Sequence, residues 1–443
     1  MARMRRATAG IALATTIALL AACSSGGDSP SGDGTTAGGG GDSKQEEVTI
    51  SWWHNSNTGE GKVYYDKIAK DFEAANPGVT VEVNAMQHDD MITKLEAAFQ
   101  AGDAPDVYME RGGGELRDHV NAGLTKDISD AAADTIAKLG GSVAGFQVEG
   151  KTYALPFSLG VVGFWYNKAL FAKAGIDAPP STWDEMYDAI DKLKAAGITP
   201  LSVGAGEGWP AAHYWYYFAL RQCSQDTLTG AVSSFDFSDP CFVRAGESLK
   251  EFLDAEPFND GFLSTVAQKG PSSASGMLAT GKVAIELQGH WEPGVMQGVT
   301  DELGTEGIGS DLAWFSFPAV DGGEGDPASQ LGGGDAWAVS KDAPDAAVVF
   351  AQYLLSDEIQ KGFAELDMGL PTNPTASKYV SDAALASLLE VRDAAPFVQL
   401  YFDTAFGKAI GDAMNAKIVD LFAGKATPQE VVDATQSAAD AEK

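Results

Sequence analysis

The residues with chemistry to offer in this 443-residue chain are nine tryptophans and a scatter of acids, amides and histidines. Trp291 follows Gly289 and His290 directly after an apolar run, Val283 to Leu287, where a core side chain would be poorly placed. Trp209 lies in the glycine-rich loop Gly204-Ala205-Gly206-Glu207-Gly208, just ahead of an aromatic stretch that carries His213. Asn55 and Asn57 sit at the mouth of a first helix, where amides and free backbone N–H groups converge, although capping alone accounts for one of them. Glu110 and Arg111 close a third strand; as neighbours of opposite charge they can also pair with each other. Asp335 follows three glycines, and Asp403 ends Gln399-Leu400-Tyr401-Phe402. Aromatic faces beside carboxylates, amides and a guanidinium grip a polar ligand through charge-assisted hydrogen bonds and apolar contact. This is binding chemistry.

Bond-making chemistry finds less support. Gly145-Phe146-Gln147-Val148-Glu149-Gly150-Lys151-Thr152 matches the phosphate-loop pattern letter for letter. That loop needs a helix opening at its lysine, whereas Lys151 leads into Thr-Tyr-Ala-Leu-Pro, an extended run holding Pro156. The segment reads as a turn between two short strands. The five histidines show no metal-ligand spacing, so neither a metal nor another cofactor is expected. No Gly-x-Ser-x-Gly occurs, and among 62 acids two neighbouring carboxylates do not mark a glycosidase.

The elements that must hold these residues alternate. Val48–Trp53 reads as a strand, then a helix from about Gly61 to Ala75 with Val63, Tyr64, Ile68 and Phe72 as its apolar stripe. Asn76-Pro77-Gly78 stops it. A strand (Val79–Val83), a helix (Asp89–Ala101) and a strand (Asp106–Met109) follow. This order signals a parallel sheet with crossover helices, and ligands bind beyond the carboxyl ends of such strands. Further on come extended residues 153–167, a helix at 183–195, strands at 201–203, 283–287 and 336–339, and a mainly helical remainder from Ala346. Trp52 and Trp53 adjoin on a strand, so one faces the core. Trp165, Tyr214, Trp215 and Tyr217 lie in dense aromatic stretches and are read as core.

The N-terminus is an address. Arg3, Arg5 and Arg6 precede an apolar run that closes in Leu20-Ala21-Ala22-Cys23, a secretory signal over residues 1–22. Residues 24 to about 45 are almost all Ser, Gly, Asp and Thr with no large apolar side chain, so they are expected to form a tether. A flexible coil of roughly 22 residues reaches on the order of 25 Å. The net charge of −32 repels nucleic acid and anionic lipid. Outside the cytoplasm Cys223 and Cys241 suggest one disulfide, whose loop closure is worth about 3 kcal/mol in the chain-entropy model. The chain is too long for one core, so two domains are expected.

Leu-Ala-Ala-Cys resembles the lipobox of bacterial lipoproteins, which implies acylation of Cys23. The mature chain resembles the maltose-binding-protein-like solute-binding lipoproteins of bacterial ABC importers. The likeness is carried by Lys67-Ile68-Ala69-Lys70-Asp71-Phe72-Glu73 with Asn76-Pro77-Gly78, by Leu155-Pro156-Phe157 with Tyr166-Asn167-Lys168, and by Trp209-Pro210-Ala211-Ala212-His213. Gly289-His290-Trp291, Gly332-Gly333-Gly334-Asp335 and Gln399-Leu400-Tyr401-Phe402-Asp403 complete it. The resemblance implies an α/β, two-lobed periplasmic-binding-protein-like fold (type II), each lobe a mixed sheet flanked by helices. Its lobes would be residues 47–159 plus 317–370 and 160–316 plus 371–443, after a lipidated tether at 23–46. Hinge crossings are implied near Ser158–Gly160, Ser316–Pro318 and Gly369–Thr372. It implies a monomeric, non-enzymatic receptor, held on the outer face of the membrane by its lipid alone. Such a receptor takes a di- or oligosaccharide, with Trp291 stacked on a sugar ring, and hands it to permease subunits whose ATPases are separate chains. A cell-surface glycoside hydrolase and a receptor for a non-sugar solute are the alternatives.

Overall fold

The computed structural model describes residues 47–443. The signal, Cys23 and the tether lie outside the described residues. In chain order the strands are β1 (Val48–His54), β2 (Val79–Ala85), β3 (Val107–Glu110), β4 (Gln147–Val148), β5 (Lys151–Thr152) and β6 (Ala154–Val161). They continue with β7 (Gly163–Asn167), β8 (Thr199–Ser202), β9 (Val283–Gln288), β10 (Leu312–Phe315), β11 (Gln330–Val339) and β12 (Val398–Leu400). Two mixed sheets organise them. The first runs β12-β11-β3-β1-β2 with β6 on the other side of β11; the second runs β10-β7-β9-β8.

In the first sheet β1 pairs in parallel with β2 and β3, as crossover helices demand. Its side chains alternate, so Ile50, Trp52 and His54 point into one core. Trp52 is the core member of its pair, packed edge-on against Tyr65, Trp337 and Phe350. The helix Gly59–Ala75 buries Ile68 and Phe72 as expected, with Tyr65 and Ala69 beside them in place of Val63 and Tyr64. Val63 is instead 69% exposed, because the i, i+3, i+4, i+7 set that faces the sheet starts at Tyr65.

The second lobe is built on its aromatic helix, Trp209–Gln222, buried along nearly all its length. Tyr214, Trp215 and Tyr217 are core residues, and so is Trp165. Tyr217 stacks on Phe317 at 4.5 Å. The buried Arg221 guanidinium donates to the carbonyls of Phe317, Pro318 and Ser329. Cys223 and Cys241 are joined, tying the end of this helix to the start of the helix Pro240–Asp254.

Two long strands span both lobes. β6 puts Leu155 and Phe157 in the first core, while its last residue, Val161, packs with Trp165 of the second lobe. β11 starts with Leu331 in the second core and ends with Trp337 and Val339 in the first. Beside them Leu159 N–H donates to Leu370 O, and Ser158 bridges to Pro371. Ser158–Gly160 and Gly369–Thr372 thus lie side by side. Phe317 packs in the second core, and its carbonyl accepts from Arg221.

Gly332-Gly333-Gly334-Asp335 stand before the strand expected at 336–339. All four are inside β11. A Cβ on Gly334 would lie 1.8 Å from Ser158 O, and one on Gly332 would lie 2.5 Å from Gly160 O. These glycines mark a close approach of two backbones, not a turn. The phosphate-loop look-alike is the β4–β5 hairpin, turning through Glu149 and Gly150 at positive φ. No helix opens at Lys151, which pairs with Asp127 at 2.8 Å. β12 was missed in a region read as mainly helical. Among the described residues, no helix is long and apolar enough to cross a membrane.

Candidate functional site

The crossing strands form the floor of a cleft between the lobes, with a cavity of about 210 Å³. Phe157 and Ser158 of β6, with Gly334 and Asp335 of β11, line that floor. Asn55, Asn57, His88 and Arg111 come from the first lobe, each at the carboxyl end of a strand or the start of the helix after it. Trp209, His213, His290 and Trp291 come from the second lobe; Tyr401 and Asp403 follow β12. Of the nine side chains picked out in the sequence, the structure brings eight to this cleft.

Glu110 is the exception. Its carboxylate turns inward, accepts hydrogen bonds from the backbone N–H of Arg111 and Gly112, and meets His119 Nδ1 at 2.8 Å. It is 1% exposed and holds the loop that carries Arg111. A residue at the end of a fully buried strand has its neighbours' backbone to satisfy, and the local amides claim it.

Arg111 reaches across the cleft. It forms an ion pair with Glu115 one helical turn on and lies 3.7 Å from Asp403 Oδ2. Asp403 in turn accepts from Asn415 Nδ2 at 3.3 Å. Burial works against the guanidinium charge, yet Glu115 and Asp403 raise the Arg111 pKa above its ordinary value. Asn55 Nδ2 lies 3.2 Å from His88 Nδ1.

The opposite wall is aromatic. Trp209 opens its helix, and His213 four residues later shares its face at 5.2 Å. His213 stacks on Tyr401 at 5.1 Å and 25°. Trp291 stands edge-on to both Trp209 and Tyr401, 6.2 Å from each. Gly289 makes room for it, since a Cβ there would lie 2.4 Å from the Trp291 ring. Trp291 Nε1 donates to Gln288 Oε1 at 3.0 Å, which fixes the plane of the indole.

Among the described residues, three polar atoms in this wall have no partner: Trp209 Nε1, His213 Nδ1 and Tyr401 OH. An unpaired buried donor or acceptor costs about 1–3 kcal/mol, so a ligand that satisfies them gains what the free cleft forgoes. Burial pulls His213 down to about 4 and leaves it neutral, while it pushes Asp335 up to about 7 against the pull of Arg111.

Tyr401, His88 and His290 are among the lining side chains outside the set picked out in the sequence. The signal for Tyr401 was its place in Gln399–Asp403. That for His290 was its place between Gly289 and Trp291. His290 is 1% exposed, with Nε2 2.8 Å from Ser158 Oγ on the crossing strand. Gly160 is needed beside it, because a Cβ there would lie 2.2 Å from the imidazole. No signal marked His88, which opens an ordinary amphipathic helix.

Residues 55–361 match the family of bacterial extracellular solute-binding proteins, the stretch that supplies most of the cleft. The chain belongs to this family. Such proteins are solute receptors, not enzymes. The chain is similar to one solved in work on xylan utilisation by the thermophilic bacterium Caldanaerobius polysaccharolyticus, at 25% identity and a TM-score of 0.81. That similarity covers 88% of this chain and 99% of the other. It is also similar to a chitin oligosaccharide binding protein, at 25% identity and a TM-score of 0.78, over 89% and 98% of the two chains. An ABC transporter extracellular-binding protein of Pyrococcus horikoshii is 23% identical over 86% of this chain and 83% of its own length. The two-lobed fold of this solute-binding protein is thus shared with its relatives.

Proposed function

We propose that this solute-binding protein captures a di- or oligosaccharide in the cleft and delivers it to an ABC-type importer. The observation that carries the reading is the wall of Trp209, His213, Trp291 and Tyr401, with its unpartnered polar atoms. A sugar ring has a C–H patch on each face for aromatic plates and hydroxyls around its edge for the unpaired N–H, OH and imidazole groups. Arg111, Asp403, Asn55 and Asn57 supply charge-assisted and amide contacts opposite. The relatives from xylan utilisation and chitin oligosaccharide binding support the ligand class, and the Pyrococcus relative supports the importer. The lipid on Cys23 and the tether complete the proposal. They keep a receptor near its permease while leaving it free to turn; the lipid rests on Leu20-Ala21-Ala22-Cys23 and the tether on the polar run that follows it.

A thermal-shift screen of residues 47–443 against mono- and oligosaccharides, peptides and polyamines tests the ligand class. A sugar at about 100 times its Kd adds about 2.7 kcal/mol of stability. Trp291→Ala should weaken that sugar by about 2 kcal/mol, roughly thirtyfold, while leaving the melting temperature of the free protein nearly unchanged. A rise in melting temperature with a peptide or polyamine and with no sugar defeats the reading.

A further inference from the structure

The guanidinium of the cleft is paired before a ligand arrives. Arg111, the guanidinium on its lining, is 21% exposed and already paired with Glu115 and Asp403. Three histidines line the cleft as well, and none brings a positive charge. Burial lowers His88 and His213 to about 4 and His290 to about 3, so all three are neutral near pH 7. Lys269 is exposed, and the exposed carboxylates of Glu60 and Glu302 share the lining with it. On the floor, the Asp335 carboxylate has no hydrogen bond or ion pair among the described residues. The groups that await a partner in the wall, Trp209 Nε1, His213 Nδ1 and Tyr401 OH, are all uncharged.

We infer that the cleft is built for an uncharged ligand and that Asp335 is the group that rejects anionic ones, sugar carboxylates and sugar phosphates alike. The inference rests on the sugar reading above and narrows it. An anion entering the cleft finds Arg111 committed and Asp335 facing it, and like charges placed together at an interface are strongly unfavourable. A neutral hydroxyl can donate to the Asp335 carboxylate and accept from Tyr401 or Trp209. Around Asp335 stand Arg111, Glu110 and Glu115 as charges, and Tyr65 and Tyr401 as neutral phenols. Burial raises Asp335 to about 7, so below that pH it is protonated and above it ionised. Rejection of anions therefore strengthens as pH rises through about 7.

The test uses residues 47–443 and matched probes: neutral gluco-, xylo- and chito-oligosaccharides, their C6- or terminally oxidised carboxylate forms, and glycerol 3-phosphate. Calorimetric titration of the best neutral probe and its carboxylate twin should give at least about tenfold weaker binding of the twin near pH 8. The ratio should shrink several-fold near pH 6, and Asp335→Asn should remove that pH dependence of the ratio, whatever it costs in affinity for the neutral probe. Equal affinity for the two twins near pH 8, or a pH-dependent ratio that persists in Asp335→Asn, overturns the charge assignment and leaves the sugar reading intact. Binding of glycerol 3-phosphate with no binding of any neutral sugar overturns both.

Discussion

At the scale of single residues, position at a strand end does not by itself separate ligand contacts from the residues that hold them. Arg111 faces the cleft, while Glu110 beside it spends its carboxylate on two backbone amides and on His119. Burial alone would lower the His119 pKa, but hydrogen bonds from its ring to Glu110 and Glu96 raise it to about 10. The unfolded value is near 6.5, so this imidazolium adds stability that is fully present below about pH 6.5 and is lost as pH rises through about 10. Glu110→Gln should cost about 2 kcal/mol near pH 7, because a charged hydrogen-bond acceptor is replaced by an amide. Urea denaturation between pH 6 and 10 should show the wild type losing stability relative to this variant as pH rises. Parallel curves would show that the pair contributes nothing.

Secondary-structure elements were legible where one pattern had no competitor. The β1–helix–β2–helix–β3 order, the β4–β5 hairpin and the aromatic helix 209–222 all follow from periodicity and turn residues. So do Trp209, Trp291 and Arg111 at the cleft, which stand at element ends that a sheet of this type turns toward its ligand. In helix 59–75 Ile68 and Phe72 were legible, but Val63 was not separable from Tyr65 and Ala69, since apolar side chains flank the stripe and only the sheet decides between them. Gly332–Gly334 was misread for a tertiary reason: glycine signals both a turn and a close approach, and only β6 shows which. That reading predicts that Gly334→Ala is costly although the site sits in a regular strand. Its Cβ would meet Ser158 O, a backbone atom that cannot yield unless β6 parts from β11. We expect a loss of about 3 kcal/mol in chemical denaturation. A loss below about 1 kcal/mol, the usual cost of a mild surface change, would mean that the strands part easily there.

At the scale of the whole molecule, the lobes meet across the mouth of the cleft as well as at its floor. The start of helix 59–75 lies on the helix Glu292–Leu303, and glycines make the contact. A Cβ on Gly59 would lie 3.0 Å from Gly298 Cα, and one on Gly298 would lie 2.9 Å from Thr58 Oγ1. Nearby, Gln297 Nε2 donates to Glu60 at 3.5 Å. These contacts exist only when the lobes are together, so they bear on closure and not on the folding of either lobe. A ligand shifts a two-state protein only by its differential affinity for the two states, and anything that raises the energy of the closed state subtracts from binding. Gly298→Leu places a branched side chain against Thr58 and Gly59 without touching the floor or the aromatic wall. If the clash costs about 2 kcal/mol, affinity for the sugar falls roughly thirtyfold. The free protein should be as stable as the wild type or slightly more so, because leucine favours a helix over glycine. Small-angle scattering should show a wild type that contracts on adding the sugar and a variant that contracts less. Wild-type affinity in Gly298→Leu would mean that the ligand-bound protein does not bring these two helices together.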